Sequence, residues 1–94
     1  MSRAEREAQR YVREVRELAR TATIELRRLA EDNSFYRPRE LRVELRHIRV
    51  ELREARELLA VGEARRAHRV LDNVMREIRN VERDMHEYGY FSAR

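Results

Sequence analysis

Lysine is missing from this chain, so every one of its 22 Lys-plus-Arg positions is arginine. All basic charge therefore sits on planar, multi-donor guanidinium groups, which suit ion-pair ladders and phosphate contacts better than a flexible ammonium does. Cysteine is also missing, which excludes disulfides, thiolate metal sites and a thiol nucleophile. One proline and two glycines leave little turn chemistry and argue against a sheet or a low-complexity tail. No apolar run of about 18 residues occurs, and Ser2-Arg3-Ala4-Glu5 stands where a signal peptide would begin its apolar segment. The chain reads as cytoplasmic, with no membrane partner. Aromatics make up only 6% of residues against 41% hydrophobic and 43% charged, so the apolar material is mostly aliphatic and must lie in stripes.

What is present is a helical pattern. The 94 residues allow one domain, 1–94, with a single hydrophobic core. The formal charge of +4 conceals 18 acidic residues, so pairing at close range matters more than the net sign. Ser2 with Glu5 has the spacing of a capping box. Ala4, Ala8, Tyr11, Val15, Leu18, Ala22 and Leu29 then recur at near-heptad intervals, with Val12, Ala19 and Leu26 forming a second line. This wide face predicts a helix over 3–31, about 40 Å long, that touches two neighbours. Glu31 to Ser34 form a polar stop, and Pro38 opens a second helix over 38–60 with Glu40 in its first turn. Its seam is Leu41, Leu45, Ile48, Leu52, Ala55 and Leu59.

A third seam, Ala64, Ala67, Leu71, Val74, Ile78, Val81, Met85 and Tyr88, predicts a helix over 63–88. The phase slips at Val61-Gly62, which fits a tight turn with Gly62 at positive φ. A continuous helix over 38–88 is the competing reading, at a glycine cost of about 1 kcal/mol. Leu58 to Ala67 also resembles the middle of a tetratricopeptide repeat, but it does not recur, and any close helical hairpin selects glycine followed by a small residue. The fold class is therefore all-α, an antiparallel three-helix bundle or helical hairpin with coiled-coil-like seams.

Charge is sorted along the second helix. One residue after successive seam positions stand Arg42, Arg46, Arg49, Arg53 and Arg56; one residue before several of those seam positions stand Glu40, Glu44, Glu51 and Glu54. Like charges three and four apart repel, so opposite charges on neighbouring helices or another subunit are the expected compensation. The same five arginines are the candidate phosphate-contacting group. Further arginine stripes run through Arg3, Arg6, Arg10 and Arg13, and through Arg65, Arg69, Arg76, Arg79 and Arg83. An up-down-up arrangement also brings Phe35 and Tyr36 toward Tyr88, Tyr90 and Phe91, a candidate protein-contacting cluster.

Catalysis is poorly supported. Glu44 and His47 have the Glu-x-x-His spacing that di-iron bundles use twice, but there is no second copy, and His68 and His86 stand apart from any ligand cluster. Phosphate loops and nucleophile elbows are absent. Helical enzymes need clusters of basic and polar residues between their helices, and these seams are almost wholly aliphatic. No catalytic residue, cofactor or metal is expected. The leading reading is a non-enzymatic helical assembly or protein-interaction module that associates with protein, including copies of itself. The alternative is a DNA- or RNA-binding nucleoprotein component without sequence specificity, of the kind mobile elements or viruses encode.

Overall fold

The computed structural model describes residues 1–32 and 39–88, apart from the side chains of Asp32 and Tyr88. They form three helices, α1 (Arg3–Asp32), α2 (Arg39–Ala60) and α3 (Ala64–Tyr88), with no strand among the described residues. The fold is the expected all-α three-helix arrangement.

Each boundary has a local cause. The Ser2 hydroxyl accepts a bond from the Glu5 amide at 3.1 Å, satisfying one of the orphan donors of the first turn of α1. Between α2 and α3 the chain reverses at Gly62, whose φ is +81°. The Glu63 amide donates to the Leu58 carbonyl at 2.8 Å and the Gly62 amide to the Leu59 carbonyl at 3.1 Å. These are the paired bonds of a Schellman cap, which closes a helix with its C′ residue in the left-handed region. The phase slip thus marks a turn, and the continuous helix over 38–88 does not form. The Glu63 carbonyl then accepts the Ala67 amide at 2.9 Å and starts α3 without a side-chain cap.

The seams close on one another. Val15, Ala19, Ala22, Leu26 and Leu29 of α1, Leu41, Leu45, Ile48, Leu52 and Ala55 of α2, and Ala67, Leu71, Val74, Ile78, Val81 and Met85 of α3 form one buried core. Burying a Leu, Ile or Val side chain fully contributes about 1.5–3 kcal/mol, and Leu71, Val74 and Ile78 have no exposed surface at all. Cross-helix contacts fix the directions. Arg56 reaches Thr23, and around that contact Arg16 and Ala19 of α1 lie beside Leu59 of α2 whereas Ala30 and Glu31 lie beside Arg49, so α1 and α2 run antiparallel. Tyr11 reaches His68, both in the early part of their helices, so α1 and α3 run parallel. The α2–α3 interface is the most extensive. Residues 1–10 are all exposed, and the long first helix stretches the molecule to 54 × 22 × 17 Å.

Candidate functional site

The groove between α1 and α2 is lined by arginine from both sides. On α1, Arg16, Arg20, Thr23 and Arg27 each follow a buried residue, namely Val15, Ala19, Ala22 and Leu26. On α2, Arg49, Arg53 and Arg56 follow Ile48, Leu52 and Ala55 in the same way. An antiparallel helix pair is related by an approximate two-fold, so like edges meet, and here both edges are basic. The groove comprises two depressions of ≈ 350 and ≈ 530 Å³ that share Thr23, Arg27 and Arg56. Six arginines line them, Arg16, Arg20, Arg27, Arg49, Arg53 and Arg56, against one carboxylate, Glu31.

Only one of these arginines is tied across the groove. Arg56 Nη2 donates to Thr23 Oγ1, which itself donates to the Ala19 carbonyl at 2.8 Å. Arg20 pairs with Glu17 on its own helix at 3.7 Å. The expected compensation by carboxylates of adjacent helices is not found. Among the described residues the arginine–carboxylate pairs are Arg3–Glu7 and Arg20–Glu17, both within α1. The meeting of like edges is the physical reason. Arg16, Arg27, Arg49 and Arg53 are left exposed, with no carboxylate in ion-pair reach among the described residues.

Of the five α2 arginines singled out in the sequence, Arg49, Arg53 and Arg56 line this groove; Arg42 and Arg46 stand exposed two turns and one turn before Arg49. The α1 arginines that complete it, Arg16, Arg20 and Arg27, were not among the stripes picked out. Their signal was the same one-residue offset from the seam. Phe35, Tyr36, Tyr90, Phe91 and the Tyr88 side chain lie outside the described residues.

The opposite flank of α2 meets α3 and is acidic. Glu51 precedes Leu52, and Glu77 precedes Ile78, so again like edges face each other. Asn73 Nδ2 donates to Glu51 Oε2 and to Glu77 Oε1, each at 2.7 Å. The Asn73 Oδ1 in turn accepts from Arg76 Nη2 at 3.4 Å. His47 Nε2 stands 3.1 Å from Glu51 Oε1 and 3.7 Å from Glu77 Oε1. Burial, then hydrogen bonding to Glu51 and repulsion by it, push the Glu77 carboxyl above its usual range, against the opposing effects of His47 and Asn73. The seams themselves are aliphatic as expected, and the polar cluster lies on the flank beside them. His47, noted in the sequence only for its spacing from Glu44, has as its acidic neighbours Glu51, one turn on, and Glu77 across the interface.

The third groove, between α1 and α3, holds a Tyr11–His68 hydrogen bond of 2.9 Å, with Asp72 3.5 Å from the other ring nitrogen. It widens into a space of ≈ 810 Å³ beside Ala4, Ala8 and Val12. No family model, curated protein or solved structure matches this chain. Among the described residues no helix is long and apolar enough to cross a membrane. The class that the fold defines is a small all-helical bundle, compatible with a structural or interaction-type module.

Proposed function

We propose that this chain is a non-enzymatic interaction module that holds a nucleic-acid phosphate backbone in the α1–α2 groove. The observation that carries the proposal is the imbalance of six lining arginines, Arg16, Arg20, Arg27, Arg49, Arg53 and Arg56, over the single Glu31. Guanidinium groups on rigid helices one turn apart, of which among the described residues only Arg20 is paired with a carboxylate, match a periodic polyanion. Phosphate contacts position a partner without reading its sequence, and nothing in the groove offers a base-reading arrangement. Fluorescence anisotropy with labelled duplex and single-stranded DNA and RNA at low salt is the test. Binding to unrelated sequences with similar affinity, abolished by Arg53→Glu with Arg27→Glu and retained by Arg65→Glu with Arg69→Glu, is the expected result. No binding to any of the four at low salt overturns the proposal.

A second reading, contact with protein, including self-association, draws on the start of α1. The seam residues that first suggested assembly, Leu45, Ile48, Leu52, Leu71, Val74 and Ile78, are buried in the chain's own core. Self-association therefore falls to uncovered surface, and exposed Ala4 and Ala8 with half-buried Val12 form such a strip beside the α2–α3 turn. Sedimentation equilibrium decides it: a monomer at all accessible concentrations removes self-association and leaves the groove proposal standing.

A further inference from the structure

We propose that His47, Glu51 and Glu77 bind a divalent transition-metal ion of the zinc class at the α2–α3 interface, a site independent of the arginine groove. One ligand atom from each residue lies within 4.8 Å of the others. Metal bonds of 2.0–2.1 Å in a tetrahedral site put neighbouring donor atoms ~3.3 Å apart. His47 Nε2 lies 3.1 Å from Glu51 Oε1, near that value, and 3.7 Å from Glu77 Oε1, the oxygen that Asn73 also holds.

A second observation points to a cation. Glu51 Oε1 and Glu77 Oε2 have no exposed surface and no hydrogen-bond partner, because His47 Nε2 stands near Glu51 Oε1 without hydrogen-bond alignment. Their side chains retain only 17% and 21% of their exposure. Two carboxyl groups brought together from different helices repel one another when both are ionised, unless a shared proton or a bound cation joins them. Asn73 already holds the remaining oxygens, Glu51 Oε2 and Glu77 Oε1. That is the work of an outer-shell partner, which fixes the angle of ligating carboxylates. Arg76 fixes which end of the Asn73 amide faces them.

The donor set selects the metal class. Imidazole nitrogen with carboxylate oxygen suits zinc and its neighbours, whereas magnesium and calcium prefer oxygen alone. Three protein ligands leave one tetrahedral position for water, and His47, 60% exposed, opens the site to solvent.

The test uses the full chain stripped by chelator and titrated calorimetrically with zinc sulfate at neutral pH, with cobalt absorption as a second readout of coordination number. The expected result is one saturable zinc per chain, a thermal midpoint raised by zinc, and weak or no magnesium binding. His47→Ala and Glu77→Gln should each weaken zinc at least tenfold with unchanged circular dichroism. Asn73→Ala, which removes a positioning residue only, should weaken it by about 10–100-fold while keeping one-to-one stoichiometry. Absence of saturable binding below millimolar zinc overturns the proposal. So does binding of unaltered affinity in both His47→Ala and Glu77→Gln. Should Glu77→Gln fail to fold, His47→Ala alone decides, since its side chain is mostly exposed.

Discussion

The salt dependence of polyanion binding offers the sharpest quantitative check on the arginine groove. Neutralising phosphates releases condensed counterions, so the logarithm of affinity falls with the logarithm of salt at about −0.9 per phosphate on duplex DNA and about −0.7 on single strands. If each of Arg16, Arg20, Arg27, Arg49, Arg53 and Arg56 takes one phosphate, the duplex slope is about −5.4, a ceiling reduced by Glu31. Raising salt from about 50 to about 200 mM then weakens binding roughly 2,000-fold. Replacing Arg49, Arg53 and Arg56 together by glutamine halves the set. The slope should fall to about −2.7, with only about a 40-fold loss over the same salt range. All three side chains are exposed, and surface changes of this kind usually shift stability by no more than about 0.5 kcal/mol each. Anisotropy titrations at four or five salt concentrations measure both slopes, with thermal melting to verify the fold. A triple variant with the wild-type slope refutes the reasoning, even if its affinity has dropped, because the lost contacts would not have been phosphate contacts.

Three further outcomes follow from the packing. Gly62→Ala should cost about 1–2 kcal/mol in thermal melting, wholly from the left-handed backbone, since a Cβ there meets nothing within 4 Å; no loss would deny that the positive φ sustains the turn. Ile78→Ala removes a side chain with 0% exposure and should cost about 2–5 kcal/mol in urea unfolding, independent of protein concentration. A concentration-dependent midpoint would place Ile78 at a subunit interface instead. Glu77→Gln should stabilise the metal-free chain at pH 7 but not at pH 4. The raised Glu77 carboxyl, facing Glu51 and His47 with Asn73 beside it, contributes stability that is complete below its unfolded value near 4.5 and is lost as pH rises through the folded value. Glutamine cannot ionise, so melting curves across that range should show the gain growing with pH, and a gain constant with pH would refute the assignment.

The helices were legible because apolar spacing carries both element and face. Leu45, Ile48 and Leu52 on α2 and Leu71, Val74 and Ile78 on α3 were read from the sequence as seams and are the buried residues. The grooves were half legible. The basic edge of α2 was visible as a one-residue offset, but what it would face depends on which edge of which helix comes alongside, and that is a property of topology. Opposite charges were expected to meet across helices; instead antiparallel pairing set basic edge against basic edge and acidic against acidic. Glu51 belonged to the acidic edge that was expected to meet opposite charge, and Glu77 was not singled out. Neither gives a local signal for the other, because they lie far apart in sequence and their burial arises only on packing.

Gly62 connects the fold to the carboxylate cluster. Residues 47 and 77, and residues 51 and 73, are each centred on position 62, so a reversal there sets the members of each pair level across the α2–α3 interface, with the two pairs about one helical turn apart. In a continuous helix over 38–88 Glu51 and Glu77 would stand about 39 Å apart and each would be an ordinary exposed carboxylate. The reversal buries them together because both occupy the position before a core residue, Leu52 in one helix and Ile78 in the other. Moving either glutamate one position past its core residue would carry it to the opposite groove. On α2 that position, 53, belongs to an arginine of the basic edge. The two reversals together leave α1 parallel to α3, so unlike edges meet there, and that groove is lined by Glu7, Tyr11, Glu63, Arg65, His68 and Arg69, charges of both signs. The reversal between α1 and α2, the reversal at Gly62 and a fixed offset from the seam therefore determine together which groove is cationic, which is acidic and which is mixed.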